Sequence, residues 1–271
     1  MSKTQKIFLS TNGTMLVIIN SAKTQNYAPL NDLPVSQPPL LDKTRDLVSR
    51  CQQMSREEIR AIMKVSEKIA DTTFSRFQDF IFPHHQTSSS PVLSSFAGDI
   101  FSEIRYHNFT REDFLYAHER VRILSGLYGI LRPLDLMQLY RLEMGYKMKI
   151  GEAANLYDFW SEAVTTQLNQ DLQSTGSSII LNCASKEYSR TVLPRHLDGT
   201  ILTLTFKQKK NGSVRSIAIY AKRARGMFVD WFITRRIASR RQLREFDRSG
   251  YHFVEELSSE TELVFITDLD S

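Results

Sequence analysis

The sequence predicts an α/β fold of the mixed α+β type, a single compact domain with a mixed sheet and a central helical block. The run MLVIIN, residues 15–20, is continuously apolar over a length typical of a buried strand. Between Leu41 and about Phe80, apolar residues recur at intervals of three and four, which indicates helices. Strand patterns at both ends of the chain, with no internal repeat or long linker between them, predict one domain.

The remaining elements follow in chain order. Two or three helices are expected within residues 41–80, and Ser55 with Glu58 forms a candidate capping box for one of them. The later segments predict a helix in LYDFWSEAVTTQLNQDL, a strand in SSIILNCAS, a hairpin of ILTLTFKQ and RSIAIYAK around Asn211–Gly212, a helix in RGMFVDWFITRRI, and a closing pair of strands in YHFVEEL and TELVFITDL.

The net charge of +5 conceals an uneven distribution of charge along the chain. Residues 207–244 contain 12 basic residues and one acidic residue, Asp230, whereas the rest of the chain has 23 basic and 29 acidic residues. A concentration of positive charge in one segment favours a polyanionic partner. The alternative is a solvated basic face, which the scarcity of acids within the segment makes less suitable.

Several classes of protein do not fit the sequence. No stretch supplies the roughly 18 consecutive apolar residues of a membrane helix, and the N-terminus has no signal-peptide core. We therefore expect a cytoplasmic protein, with a monomer favoured. Cys51 and Cys183 are far apart and have no CxxC partner, which predicts buried thiols rather than a zinc site. The adjacent histidines 84 and 85 fit a surface loop, and no metal or cofactor is expected.

The segment SGLYGILRPLDLMQ, residues 125–138, has a sequence pattern that indicates a turn between two helices. Thr110 is expected to cap a helix over EDFLYAHERVRIL that ends at Ser125–Gly126, and a second helix is expected to begin near Pro133. Such a helix–hairpin–helix-like element would let backbone N–H groups near Gly126 and Gly129 donate to phosphates, helped by Arg120, Arg122 and Arg132. The spacing has one residue more between the glycines than the usual hairpin. The alternative is a plain corner in which Gly126 ends a helix and Leu127 and Ile130 are core.

A second candidate site is YAKRARG, where Lys222, Arg223 and Arg225 stand at a predicted strand-to-helix junction. The arginines of TRRIASRRQLR follow within the same basic segment. Phosphate contacts would supply most of the affinity of such a surface for nucleic acid.

A third candidate site lies after two predicted strands. Ser21, Lys23 and Thr24 follow the first, and the loop after the second supplies Asn182, Ser185, Lys186, Glu187 and Tyr188. If the strands are neighbours, these loops form one polar, cationic cleft, because ligands in α/β sheets bind beyond the carboxyl ends of strands. The alternative is a pair of ordinary turns. Neither loop matches a phosphate-loop, dinucleotide or nucleophile-elbow motif.

Five stretches in this order, SAKT, RILSGLYGILRPLDLMQLYRLEMG, LYDFW, LNCASKEY and YAKRARG, make the chain similar to the YaaA family of bacterial peroxide stress proteins. The likeness covers residues 15–271 and leaves residues 1–14 as an N-terminal extension. It implies a compact α/β fold, a role in limiting free intracellular iron and oxidative damage, and binding of double-stranded DNA through its backbone. The candidate DNA-binding residues are then Lys23, Arg122, Gly126, Gly129, Arg132, Lys186, Lys222, Arg223 and Arg225.

Two other functions stay open at this point. A cleft of Ser, Lys, Asn, Glu and Tyr suits an enzyme acting on a nucleotide or nucleic acid, with Glu187, Glu143 or Asp135 as acid or base. No known catalytic motif is present, so DNA binding is the preferred hypothesis. A protein-interaction module with a basic face is the third hypothesis.

Overall fold

The structure, a computed structural model, describes residues 14–269. The proposed N-terminal extension lies outside the described residues except for Thr14, which begins the first strand. The strands are β1 Thr14–Asn20, β2 Thr24–Gln25, β3 Ser90–Pro91, β4 Phe96–Ala97, β5 Val121–Ser125, β6 Gly129–Leu131, β7 Leu136–Met137, β8 Ser177–Asn182, β9 Thr200–Lys210, β10 Ser213–Arg215, β11 His252–Phe253 and β12 Glu262–Asp268.

Three α-helices lie between Leu41 and Phe80, where the sequence predicts two or three. The second is capped by Ser55, whose hydroxyl accepts the Glu58 N–H at 3.2 Å. Within the described chain, no helix has the length and apolar character needed to cross a membrane. The helices are α1 Leu41–Gln52, α2 Arg56–Met63, α3 Glu67–Gln78, α4 Val92–Ser95, α5 Arg111–Arg120, α6 Leu156–Thr175, α7 Lys186–Ser189, α8 Ala218–Thr234 and α9 Arg240–Leu243.

One large mixed sheet organises the domain, as the sequence predicts. Its strand order is β11-β12-β9-β8-β1-β5-β6, and β10 pairs with β9. The five central strands, β12, β9, β8, β1 and β5, run parallel to one another, whereas β11, β10 and β6 pair antiparallel at the margins. Two further two-stranded pairings, β2 with β4 and β3 with β7, tie the loops on the helical side.

The apolar run of β1 lies at the centre of this sheet. Met15 to Ile19 are each at most 1 % exposed, so both faces of the strand are covered. This is the environment in which a parallel strand is continuously apolar rather than alternating. β9, nearer the edge, instead alternates buried and partly exposed residues, and its inward Phe206 packs against Phe228 of α8 and Phe265 of β12. Continuous burial recurs in β12, so the sequence pattern records whether both faces of a strand are covered.

The prediction of a helix–hairpin–helix-like element is wrong. α5 is capped by Thr110 as predicted, but it ends at Arg120, and the next five residues form β5. β5 turns back into β6 as an antiparallel β-hairpin, and Pro133 lies in a turn rather than a helix. The helical spacing is overridden because β5 pairs along its length with the buried strand β1, with Val17 opposite Val121.

A second boundary also differs. The hairpin around Asn211–Gly212 is confirmed, but its return strand contains only Ser213–Arg215. The following residues enter α8, which begins at Ala218. Lys222, Arg223 and Arg225 therefore lie within a helix and not at its junction with a strand.

Candidate functional site

The two strand-end loops meet, as the sequence suggests. β1 and β8 are adjacent and parallel, with Ile18 opposite Asn182, and the Cys183 N–H continues the ladder to the Ile18 carbonyl at 2.9 Å. Beside this pair, β5 flanks β1 and β9 flanks β8. The loops that follow β1 and β8 both line one crevice at the carboxyl ends of these strands.

We call this crevice the strand-end cleft. It has a volume of about 480 Å³ and is bordered by the loop after β1, the β4–Phe101 segment, Glu143, the β8–α7 loop and one face of α8. The residues that line it are Asn20, Ser21, Ala22, Lys23, Thr24, Ala97, Gly98, Asp99, Ile100, Phe101, Glu143, Ser185, Glu187, Tyr188, Lys222 and Arg225.

The cations at the rim are paired with carboxylates from remote parts of the sequence. Lys23 lies 2.9 Å from Glu143, and Lys222 lies 3.5 Å from Asp99. Both ammonium groups stay more than half exposed, so each pair is of the exchangeable surface kind. The cleft lining thus contains three cations and three carboxylates. Its charge is balanced, whereas the sequence predicts a cationic cleft.

Arg225 is the exception to this pairing. It lines the cleft in a mostly buried position, and its Nε has no hydrogen-bond partner among the described residues. Its neighbour is the Cys183 thiol. Burial raises the pKa of that thiol to about 12, so Cys183 is protonated at neutral pH and supplies no counter-charge.

Hydroxyl groups form the floor of the cleft. Ser21 and Tyr188 line the cleft, and beneath them the Tyr140 hydroxyl lies 2.6 Å from the Ser125 hydroxyl. Burial raises the pKa of Tyr140 to about 12 and that of Tyr188 further still. The phenols are therefore protonated at neutral pH. Tyr188, which lines the cleft, can donate a hydrogen bond to a ligand, and neither phenol carries negative charge.

The two glutamates of the cleft are held by the segment that follows residue 142. Glu187 accepts the Gly145 N–H at 2.9 Å, and Glu143 accepts the Tyr146 hydroxyl at 2.5 Å. Glu143 also lies 3.7 Å from Arg141, in addition to its pair with Lys23. Both carboxylates are consequently fixed in orientation, which is what a group needs in order to bind or deprotonate a ligand at a defined atom.

Other sequence-predicted site residues lie elsewhere. Arg122 is 3 % exposed, and its Nε lies 2.6 Å from the buried Asp171. Arg132, about one third exposed, faces the other oxygen of Asp171 at 3.5 Å. A phosphate reaching Arg122 would have to displace this interior ion pair, so its contact with DNA stays a prediction that the burial disfavours.

The two hairpin glycines are packed against the interior instead of facing solvent. A Cβ on Gly126 would lie 2.3 Å from the Leu142 carbonyl oxygen, and one on Gly129 would lie 2.6 Å from the Trp160 ring. Gly129 also has a φ of +69°, which favours glycine. The alternative prediction, a plain corner, is confirmed in that Leu127 and Ile130 are buried in the core. The corner, however, joins two strands and not two helices. The glycines serve close packing, and their role in holding a phosphate stays a prediction that this packing disfavours.

The remaining predicted cations are exposed. Lys186 begins α7 beside the cleft without lining it, and Arg223 projects from α8 to Glu103 at 2.9 Å. The candidate carboxylate Asp135 is fully buried away from the cleft, where it accepts the Ser36 hydroxyl and the Arg132 N–H. Cys51 and Cys183 are both buried, as predicted. Among residues 14–269, no three His, Cys, Asp or Glu side chains are grouped to hold a metal ion.

Sequence reasoning missed the contribution of the β4–Phe101 segment. Asp99 lies between a two-residue strand and a short helical turn, in a stretch with no motif, and it comes to the cleft because β4 pairs with β2 directly after Lys23. The β2–β4 pairing involves two residues on each side, too few to leave a sequence pattern. The only signal is Gly98, whose φ of +136° marks a sharp change of direction.

Comparison with known proteins identifies the family. Residues 15–257 match the family described as peroxide stress protein YaaA. A UPF0246 protein of Acaryochloris marina is 43 % identical over 251 residues, covering 93 % of this chain and 99 % of that protein. UPF0246 proteins of Psychromonas ingrahamii and Idiomarina loihiensis are 43 % and 41 % identical, covering 94 % and 93 % of this chain and 99 % and 98 % of those proteins. The chain therefore belongs to the YaaA (UPF0246) family of peroxide stress proteins.

Proposed function

We propose that this protein acts in the cytoplasm during peroxide stress, by binding the phosphate backbone of double-stranded DNA through exposed cations around the strand-end cleft. The observation that carries the proposal is that Lys23 and Lys222, from distant parts of the chain, line the same cleft, with Lys186 and the exposed Arg223 next to lining residues in sequence. Their ammonium and guanidinium groups are exposed, so they can exchange a carboxylate for a phosphate.

The ion pairs set the character of this binding. Each rim cation must release its carboxylate, or share it, before it contacts a phosphate. Binding is therefore expected to be moderate, to lack base readout and to weaken steeply with salt. Under this proposal, limitation of free iron and oxidative damage follows from DNA binding, and both effects should disappear in a variant that no longer binds DNA.

The test is fluorescence anisotropy with a labelled duplex over a range of salt concentrations. Replacing Lys222 and Arg223 together by alanine should weaken binding, and it should reduce the slope of log affinity against log salt by about 1.8, at about 0.9 for each lost phosphate contact. The matched control replaces Arg235 and Arg241 by alanine. These arginines are exposed members of the same basic segment, outside the cleft lining, and their loss changes the net charge equally. Equal slopes for both double variants would reject this surface.

A second candidate function is favoured by a specific observation, the fixed polar floor of the cleft. Ser21, Tyr188 and Glu187 are held in place within a cavity of small-molecule size at the carboxyl ends of two parallel strands. This arrangement suits an enzyme acting on a nucleotide or related small molecule. Its test is a search for turnover of phosphorylated substrates by the wild-type chain, with Glu187→Gln as the variant expected to lose activity while keeping DNA affinity.

A further inference from the structure

Arg225 lines the strand-end cleft without a counter-ion, although the other cations of the cleft each have one. Lys23 and Lys222, the other cations of the cleft, are each paired, whereas the Arg225 guanidinium makes no ion pair or hydrogen bond with any described residue. Burial lowers its pKa, which shows that the charge is held at a cost. Charges withdrawn from water are ordinarily paired, and the partly buried Arg225, whose buried Nε has no hydrogen-bond partner, indicates a missing one.

Glu187 is the complementary case. Its Oε1 accepts the Gly145 N–H, but no cation of the described residues forms an ion pair with it. The cleft therefore presents one unpaired guanidinium and one unpaired carboxylate, which line the same cavity. A ligand that satisfies both must carry an anionic group and, at another position, hydrogen-bond donors.

We infer that the strand-end cleft binds a sugar phosphate, with Arg225 holding the phosphate and Glu187 accepting hydrogen bonds from the sugar hydroxyls. The inference rests on the second candidate function and names the ligand class of that site. A guanidinium is suited to a phosphate because its planar donors match the phosphate oxygens. A carboxylate near the carboxyl end of a sheet is a common acceptor for ribose hydroxyls in α/β folds, and Glu187 follows β8 in the short helix α7.

The surroundings fit this ligand. Lys222 is one helical turn before Arg225 on α8, and both line the cavity, so a phosphate at Arg225 meets a second cation. The volume of about 480 Å³ lies within the range of small-molecule sites. The protonated floor, Ser21 and Tyr188, offers hydroxyl donors to the remaining phosphate or sugar oxygens.

The experiment is isothermal titration calorimetry of the full chain near neutral pH with three probes: ribose 5-phosphate, adenosine monophosphate and inorganic phosphate. We expect the two sugar phosphates to bind more tightly than inorganic phosphate. Arg225→Gln should weaken all three by about tenfold or more, because a charged hydrogen-bonding partner is lost. Glu187→Gln should weaken the sugar phosphates and leave inorganic phosphate unchanged.

Arg235→Gln is the matched control, since Arg235 is an exposed arginine at the end of the same helix and outside the cavity. It should bind all three probes like the wild type. Thermal unfolding adds a readout that a structural role would not produce. Because Arg225 is a partly buried charge without an ion-pair partner, Arg225→Gln should unfold at the same temperature as the wild type or higher. The wild type and Arg235→Gln should gain more stability from the sugar phosphates than Arg225→Gln does. If Arg225→Gln fails to fold, Lys222→Gln replaces it in the titrations, with the same direction expected.

Absence of binding by the wild type at millimolar probe concentrations would overturn the inference. Unchanged sugar-phosphate affinity in Arg225→Gln, or in its substitute Lys222→Gln, would also overturn it, as would inorganic phosphate binding as tightly as the two sugar phosphates. The result is separable from the proposed functions. Sugar-phosphate binding without turnover would retain this site and reject the enzyme, whereas turnover without dependence on Arg225 would do the reverse. DNA affinity is measured independently by anisotropy.

Discussion

Replacement of Gly126 by alanine tests whether the SGLYG turn is interior packing. Gly126 lies in the turn between β5 and β6, where its carbonyl accepts the Trp160 Nε1–H at 2.9 Å. An added Cβ would lie 2.3 Å from the Leu142 carbonyl oxygen and 2.9 Å from the Leu142 carbonyl carbon. Both atoms belong to the backbone, so no side-chain rotation relieves the contact.

The size of the effect follows from that geometry. Inserting a methyl group into a packed interior costs about 1–3 kcal/mol and occasionally more. At Gly126 the segment that contains Leu142 must shift, and this segment also positions Glu143 and Gly145 at the cleft. We therefore expect a loss at the upper end, about 3 kcal/mol, which is a large share of the roughly 5–15 kcal/mol that stabilises a typical domain.

The assay is urea unfolding followed by circular dichroism, with Gly151→Ala as the control. Gly151 has a φ of +55°, but no atom lies within 4 Å of its added Cβ, so only the left-handed backbone is penalised, by about 1–2 kcal/mol. Gly126→Ala should be clearly the less stable of the two. If it is as stable as Gly151→Ala yet loses DNA affinity, the packing argument is refuted and the phosphate cradle is restored.

Three further predictions concern buried charges. Asp171→Asn should destabilise the fold by about 3–5 kcal/mol in urea unfolding, because it leaves the buried Arg122 guanidinium without its partner; an unchanged midpoint would contradict the assignment. Burial lowers the pKa of His84 to about 4 from 6.5, so the unfolded chain takes up that proton first, and about 3 kcal/mol of stability is lost as pH falls from 6.5 to 4. His84→Gln should remove this loss from unfolding curves recorded across that range. Burial raises the pKa of Asp135 to about 6 from 3.8, so its contribution of about 3 kcal/mol has the opposite sign and is lost as pH rises from 4 to 6. Between pH 6.5 and 4, His84→Gln should therefore gain stability relative to the wild type, and a parallel pair of curves would disprove the pKa assignment of His84.

The basic segment shows why charge along a chain is a poor guide to charge on a surface. Within residues 207–244 the cations have almost no acidic neighbours in sequence. In the structure Lys222, Arg223, Arg236 and Arg244 form ion pairs with Asp99, Glu103, Asp113 and Glu255 respectively. The compensating acids come from other parts of the chain. Only the fold brings them together, and it reduces the positive potential expected from sequence.

The fold was predictable where a local pattern had a single physical explanation. Thr110 was a reliable helix cap because its hydroxyl and the Asp113 carboxylate satisfy N–H groups within four residues. The extent of α5 was not predictable, because the residues after Arg120 have helical spacing and become a strand only through pairing with β1. Hydrogen bonds between residues a few positions apart can be predicted from the sequence. Pairing between distant strands depends on which strands the fold places next to each other.

By itself the sequence determined the fold class, the central strand β1, the helices before residue 80 and the family. It also placed polar residues at the ends of the two strands that form the cleft, since Ser21, Lys23, Glu187 and Tyr188 follow runs of buried apolar residues. The tertiary structure alone decided that these loops meet, that Asp99 joins them, and that Arg122 is buried while Arg225 is left without a partner. The physical reason is that burial and ion pairing are set by contacts between residues tens to hundreds of positions apart, and a pattern of neighbours along the chain does not contain them.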